Sequence, residues 1–335
     1  MNAPRTALAT GASGYVGGLL VPRLLEAGYA VRVLTRSGDL DAPWVSRVEV
    51  ARGDATKQED LVAALRGVDV AYYLIHSMDG EGDFARRDRE LAEGFARAAA
   101  AQDVGRIVYL SGLHPGGELS THLASRVEVG EILLGSGVPT AVLQAATVIG
   151  RGSASFEMLR YLTARLPVMV APRWLANRIQ PVAVDDVMHW LVAAAELPAD
   201  VSRTFDIGGP DVLTYRDMMQ VFAQETGLRR RLIYTLPVMT PWLASHWVGV
   251  VTPVGAGVAK PLVGSLVHEV VCKENDLEGL VGPPPGGATP YRESVRRAMK
   301  GVPADPQHAV DKVGAGLAAL VAVSVVLLAV ARRRR

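Results

Sequence analysis

Thr6-Ala-Leu-Ala-Thr-Gly-Ala-Ser-Gly-Tyr-Val-Gly-Gly18 decides the fold. Thr6 to Thr10 are small or apolar and read as a buried parallel strand. Gly11, Gly14 and Gly17 follow at three-residue spacing, and the apolar periodicity of Tyr15 to Ala27 reads as a helix. Gly11 lets the chain turn out of the strand, Gly14 lets backbone N–H groups approach a pyrophosphate, and Gly17 lets the helix pack close to the sheet. The helix N-terminus adds partial positive charge and unpaired donors. The candidate dinucleotide-binding set is Thr10, Gly11, Ser13, Gly14, Tyr15, Val16 and Gly17. The alternative is a tight turn that binds nothing.

The pattern is G-x-x-G-x-x-G after Thr10, not G-x-G-x-x-G. In this form it resembles the extended and atypical branches of the short-chain dehydrogenase/reductase superfamily.

The chain has 335 residues, enough for one large domain or two small ones, and a net charge of +1. That charge, with no basic patch interleaved with aromatics, argues against a nucleic-acid partner. The single cysteine, Cys272, excludes an internal disulfide and a multi-cysteine metal site. Met1 to Arg5 carry no apolar stretch of secretory-signal length, so the nucleotide-binding part is expected in the cytosol.

Gly28 stops the first helix, and Tyr29 to Thr35 alternate into a second strand. Arg36 follows, where an arginine can hold the 2′-phosphate of NADP, so NADP(H) is expected over NAD(H). A solvated surface arginine is the alternative. Val48 to Ala51 form a short strand, and Asp54 comes soon after it. Resemblance to extended superfamily members implies that Asp54 lies beside the adenine; capping the helix from Gln58 to Arg66 is the other role open to it. Val68 to Ile75 read as a strand buried on both faces and end in His76-Ser77-Met78, which should line the cofactor cleft. No partner at ligand spacing supports a metal role for His76, and no metal site is expected. Phe84 to Ala101 read as a helix whose solvated face carries Arg86 through Glu90.

Arg106 to Leu110 form the next strand, followed by Ser111. In the superfamily a serine at this strand end hydrogen-bonds the substrate carbonyl, and Ser111 matches it. The superfamily's Tyr-x-x-x-Lys pair is replaced: His122 stands at the tyrosine place and Arg126 at the lysine place. Their i, i+4 spacing puts both on one helix face. Histidine can transfer protons near neutral pH, whereas arginine can hold ribose hydroxyls but does not titrate usefully. Ser111, His122 and Arg126 are therefore the candidate catalytic residues. Val138 to Ala145 read as a further strand, and Arg151 to Leu166 include a helix with Glu157 in its first turn. Asp185-Asp186 are placed as helix-capping aspartates, and Thr214 caps a helix ending near Thr226. Arg229-Arg230-Arg231 form a short basic cluster, read as surface by default.

Leu236 to Val271 are strongly apolar but broken by prolines, which suits a hydrophobic substrate lobe, or a surface that meets lipid, better than a spanning helix. The segments TGASGYVG, AYYLIHSM, SGLH, SASFEMLRYL with LPVMVAPRW, and TPWLASHW with VTPV are together similar to the bacterial NAD(P)H-binding, NmrA-like group of atypical short-chain dehydrogenase/reductases. That resemblance covers about residues 5 to 300 and implies a Rossmann fold, a dinucleotide and an undefined substrate. The dinucleotide-binding accessory subunit of respiratory complex I is a more distant relative by architecture.

The expected fold is α/β: a Rossmann-type doubly wound parallel sheet with a smaller C-terminal substrate lobe and a C-terminal transmembrane helix. Residues 1–210 form the NAD(P)-binding domain, with lobe segments after 150; 211–300 form the apolar lobe, 301–312 a linker and 313–331 the helix. Val313 to Ala331 carry no charge and no proline, and at about 1.5 Å per residue they extend roughly 28 Å, against about 30 Å of hydrocarbon. Lys312 precedes them and Arg332 to Arg335 follow. The expected placement is single-pass in the cytoplasmic membrane, touching lipid through this helix, with the Rossmann domain in the cytosol. Two functions fit: an NAD(P)H-dependent oxidoreductase acting on an apolar small molecule, or a non-catalytic dinucleotide-binding sensor or assembly factor at the membrane.

Overall fold

The computed structural model describes residues 3–37, 40–75, 84–114, 119–236, 252, 262–264 and 266–304. The chain begins with strand β1 (Thr6–Thr10), helix α1 (Tyr15–Glu26), β2 (Ala30–Thr35), β3 (Glu49–Arg52), α2 (Gln58–Leu65) and β4 (Val70–Tyr73). Next come α3 (Phe84–Ala101), β5 (Arg106–Gly112), α4 (Thr121–Leu134) and β6 (Thr140–Ala145). After these lie β7 (Thr147–Ile149), α5 (Ala154–Arg165), β8 (Val168–Pro172), β9 (Arg178–Ile179), β10 (Pro181–Ala183), α6 (Val184–Ala193) and β11 (Arg203–Ile207). Then follow β12 (Leu213–Thr214), α7 (Tyr215–Glu225), β13 (Leu232–Leu236), α8 (Asp276–Val281) and α9 (Tyr291–Met299).

By compactness these residues divide into two units. The first comprises Met1–Ala146, Val184–Gly209 and Cys272–Ala288. Its seven-stranded sheet has the order β11-β6-β5-β4-β1-β2-β3, and every pairing is parallel. Strand order reverses at β1, which pairs with β2 on one side and β4 on the other. That is the switch point outside which a doubly wound sheet binds its ligand. Ala7, Leu8 and Ala9 are fully buried, as a central strand covered on both faces requires.

Helices α2, α3 and α4 share one apolar cluster with the sheet. Tyr73 and Phe95 meet edge-on with centroids 5.0 Å apart, and Tyr73 and Tyr109 do so at 5.8 Å. Gly130 lets α4 press on β6: a Cβ there would lie 3.3 Å from Val142 Cγ1. Elsewhere in this unit α1 packs against α6, and Arg23 pairs with Asp185 at 3.2 Å. Asp185 and Asp186 lie within the first turn of α6, where acids favour the positive helix end, rather than before it as a cap.

The second unit comprises 147–183 and the described parts of 210–271 and 289–335. Three two-stranded sheets, β7–β10, β8–β13 and β9–β12, lie among α5, α7 and α9. Thr214 caps α7 through a reciprocal box with Asp217. Glu157 accepts from Gly152 N–H at 3.1 Å and pairs with the buried Arg160 at 3.0 Å, so it braces the start of α5. In the basic cluster Arg229 and Arg230 are exposed, but Arg231 is buried.

Three expectations need correction. Asp88 does not belong to the solvated face of α3: it is buried and accepts from Ser125 Oγ at 3.2 Å, because α4 packs over this turn. The transmembrane helix is not part of the described fold. Among the described residues no helix is long and apolar enough to cross a membrane. The longest, α3, has 18 residues but carries a dense charged stretch that hydrocarbon would reject. The stretch 313–331 lies outside the described residues, as does most of the apolar run after Leu236. The fold is thus a Rossmann-type α/β sheet with a second unit, and the single-pass membrane placement is withdrawn with the helix.

Candidate functional site

The site begins at the turn between β1 and α1. Gly11 has φ +66°, and a Cβ there would sit 2.7 Å from the Leu74 carbonyl oxygen, so β1 and the end of β4 approach closely only with glycine. A Cβ on Gly17 would lie 2.3 Å from Gly11 O and 2.8 Å from Ala12 Cα. The close approach that Gly17 permits is therefore onto the turn itself. Gly14 N–H donates to Gly11 O at 2.9 Å and closes the turn. No side chain caps the N-terminus of α1, and no acid stands in its first turn. The positive end of the helix is thus presented at the switch point, the arrangement a pyrophosphate requires. Ser13 and Gly14 are exposed, Tyr15 and Val16 half-buried, and Gly17 buried.

Thr10 plays a different part from its neighbours. It is fully buried; its hydroxyl donates to Tyr72 O at 2.9 Å and accepts from Leu74 N–H at 3.0 Å. Its side chain fastens β1 to β4 below the phosphate turn.

Arg36 stands exposed just beyond β2. Gly53 N–H donates to Thr35 O at 3.1 Å and brings the end of β3 alongside. Asp54 accepts from Thr56 N–H at 3.0 Å. That bond holds its carboxyl below the usual carboxylate range, and the positive charge of Arg36 adds to the effect. Asp54 is not the cap of α2, whose N-cap is Lys57. Arg36 and Asp54 form one polar corner at the carboxyl ends of β2 and β3. His76 and Asp39 lie outside the described residues.

The third group lies between β5 and α4. Ser111 is buried, with its hydroxyl directed at the Arg126 carbonyl oxygen at 3.3 Å. Tyr109 O–H points to the same oxygen at 3.4 Å, and burial raises the pKa of this phenol. The Arg126 guanidinium turns back to the strand and donates to Leu110 O at 2.7 Å. Its Nε is buried and makes no hydrogen bond among the described residues. Gly112 lets α4 approach the end of β5, since a Cβ there would lie 3.1 Å from Leu123 Cδ2. His122 is half-buried, and its ring centroid lies 6.4 Å from that of Phe84 at the start of α3. The structure thus brings Ser111 and Arg126 together, while His122 faces α3.

Sequence reading missed Gln144. It is the penultimate residue of β6, the register partner of Ser111, and is 5% exposed. A polar residue near the end of an otherwise apolar strand, VPTAVLQA, was the available signal.

The fold and this corner define a dinucleotide-binding protein of the Rossmann class. Residues 11–149 match the family described as NAD(P)H-binding. Ceramide reductase of Caulobacter vibrioides is 29% identical over 236 residues, spanning 67% of this chain and 71% of that protein. The mitochondrial NADH-ubiquinone oxidoreductase 40 kDa subunit of Neurospora crassa is 26% identical over 240 residues, 68% of this chain and 61% of that one. The structure of Citrobacter sp. triphenylmethane reductase complexed with NADP(H) superposes with a TM-score of 0.69 at 18% identity, covering 87% of this chain and 99% of that one. Residues 11–149 thus form an NAD(P)H-binding domain, and the sheet that carries it has the Rossmann fold. This is consistent with the atypical NmrA-like group whose segments the sequence carries.

Proposed function

We propose that the protein is a reductase that uses NADP(H) in preference to NAD(H) and acts on the carbonyl or double bond of an apolar small molecule. The observation that carries the reading is the uncapped N-terminus of α1 at the sheet's switch point, with Arg36 exposed at the neighbouring strand end. In this reading Gly11, Ser13, Gly14, Tyr15, Val16 and Gly17 hold the pyrophosphate, Arg36 the 2′-phosphate, and Asp54 lies beside the adenine. A bound nicotinamide would supply a hydride. Ser111 and Arg126 shape the floor of the reacting end, and His122 delivers a proton to the substrate oxygen. The similarity to a ceramide reductase and the apolar run from Leu236 to Val271 support a lipophilic substrate.

A second reading is favoured by one feature: the Arg126 guanidinium is turned back onto Leu110 O, to which one of its nitrogens donates at 2.7 Å. On that reading the protein binds dinucleotide without turnover. The relative among mitochondrial NADH-ubiquinone oxidoreductase subunits is compatible with it. Calorimetry with NADPH and NADH, followed by NADPH consumption with lipophilic ketones and aldehydes, tests both. Tight NADPH binding with consumption supports the reductase, and binding without consumption supports the second reading. Absence of dinucleotide binding overturns both.

A further inference from the structure

We infer that the amino end of the β8–β13 sheet is a phosphate-binding site, in which Arg231 grips the phosphate group of a small phosphorylated ligand and Arg229 and Arg230 draw it in. The site belongs to the second unit, whereas the dinucleotide turn belongs to the first. It goes beyond the reductase reading and does not rest on it.

Three arginines are buried among the described residues, and two of them have partners built in. Arg106 donates to the carbonyl oxygens of Leu197, Pro198 and Val201 at 2.9, 2.7 and 3.0 Å. Arg160 donates to Glu157 and to Pro303 O at 3.0 and 2.9 Å. Arg231 is 6% exposed, yet its guanidinium makes no hydrogen bond or ion pair with any described residue. Its Nε is fully buried. The terminal nitrogens are not among the fully buried unpartnered atoms, so the tip of the side chain reaches the surface. Burial alone lowers its pKa below the ordinary arginine value, and no described carboxylate raises it again. An arginine cannot shed its proton, and a buried cation without a counter-charge is costly. An anion is the group this place lacks.

The residue is held firmly. Gln220 on α7 clamps its main chain, accepting from Arg231 N–H at 3.1 Å and donating to Arg231 O at 2.7 Å. Leu232 N–H donates to Pro167 O at 2.9 Å, which joins β13 to β8. Arg231 therefore stands at the common amino end of two parallel strands. Arg229 and Arg230 precede it, both exposed, and Arg165 in the last turn of α5 stands two residues before Pro167. Four arginines thus stand at one end of this sheet. The guanidinium fork, Nε–H with a terminal N–H, matches a pair of phosphate oxygens. The neighbouring surface is apolar: the register partners Val168 and Leu232 are 54% and 51% exposed. That surface suits an alkyl ester of phosphate better than the bare ion.

The test titrates inorganic phosphate and octyl phosphate, kept below its micelle concentration, into the full chain by calorimetry. Both should bind, octyl phosphate about tenfold more tightly; equal affinities would assign the site to the free ion rather than an ester. In Arg231→Gln both affinities should fall at least about tenfold, whereas Arg36→Gln, at the dinucleotide corner, should hold them within about twofold. Without phosphate, Arg231→Gln should unfold at the wild-type midpoint or above, because it removes an unpaired buried charge. Added phosphate should raise the midpoint of the wild-type chain and not of the variant. If Arg231→Gln does not fold, Arg231→Lys carries the test: it keeps the charge without the fork and should bind roughly tenfold more weakly than wild type. No binding by the wild-type chain, an unchanged affinity in the folded Arg231 variant, or a loss that follows Arg36 instead overturns the inference. A chain that binds phosphate here but no dinucleotide would overturn the reductase reading and leave this site standing.

Discussion

Arg126 on α4 donates through its guanidinium to the main-chain oxygen of Leu110 on β5 at 2.7 Å, and its own main-chain oxygen lies 3.3 Å from the hydroxyl of Ser111. Helix and strand are thus clasped in both directions where the superfamily usually presents a lysine. Arg126→Ala should lower stability by about 1.5–3 kcal/mol, the worth of a charge-assisted hydrogen bond. Chemical denaturation checks this. An unchanged unfolding midpoint would show that the clasp contributes nothing.

Gly17→Ala should be far more damaging than an exposed glycine substitution. The new Cβ would press on the Gly11 carbonyl and the Ala12 Cα, both backbone atoms of the phosphate turn. We expect a loss of about 1–3 kcal/mol and the disappearance of NADPH binding by calorimetry. Normal NADPH affinity in this variant would refute the role assigned to the turn.

Arg36→Ala should weaken NADPH by roughly tenfold to a hundredfold while leaving NADH within about twofold, because only the former carries a 2′-phosphate. Titration of both dinucleotides into the variant decides it, and equal losses would place Arg36 elsewhere in the site.

His122→Ala should lower turnover by roughly 10²–10⁴-fold with cofactor affinity nearly constant, if the imidazole delivers the proton. Its ring is held near Phe84, so Phe84→Ala should give a smaller loss in the same direction. Full activity in His122→Ala would move proton delivery to another group.

Cys272 should be a poor nucleophile in the folded protein. Burial raises its thiol to about 12, with Asp206 and Glu274 adding repulsion. At pH 8 the thiolate is then only about 10⁻⁴ of the population, and it grows about tenfold with each further pH unit. Alkylation by iodoacetamide should be slow in the native chain and fast once it is denatured. Equal rates in the two states would contradict this.

The succession of strands and helices was legible in the chain because each carries its own period. Thr6 to Thr10 and Val70 to Tyr73 are apolar runs buried on both faces, and Thr214 and Asp217 cap their helix through neighbours in sequence. The phosphate turn was legible for the same reason: strand, three glycines and helix are contiguous, and the N–H groups that would meet a phosphate belong to that segment. The positions of Arg36, Ser111, His122 and Arg126 at strand ends or on one helix face followed from local spacing. What their atoms touch did not. Only tertiary structure turned Arg126 onto Leu110, buried Asp88 against Ser125, spent Thr10 on Tyr72 and Leu74, and set Gln144 beside Ser111. Those contacts join residues up to 64 positions apart. Periodicity reports which face of an element is apolar, whereas strand order and helix packing decide which polar atom that face meets.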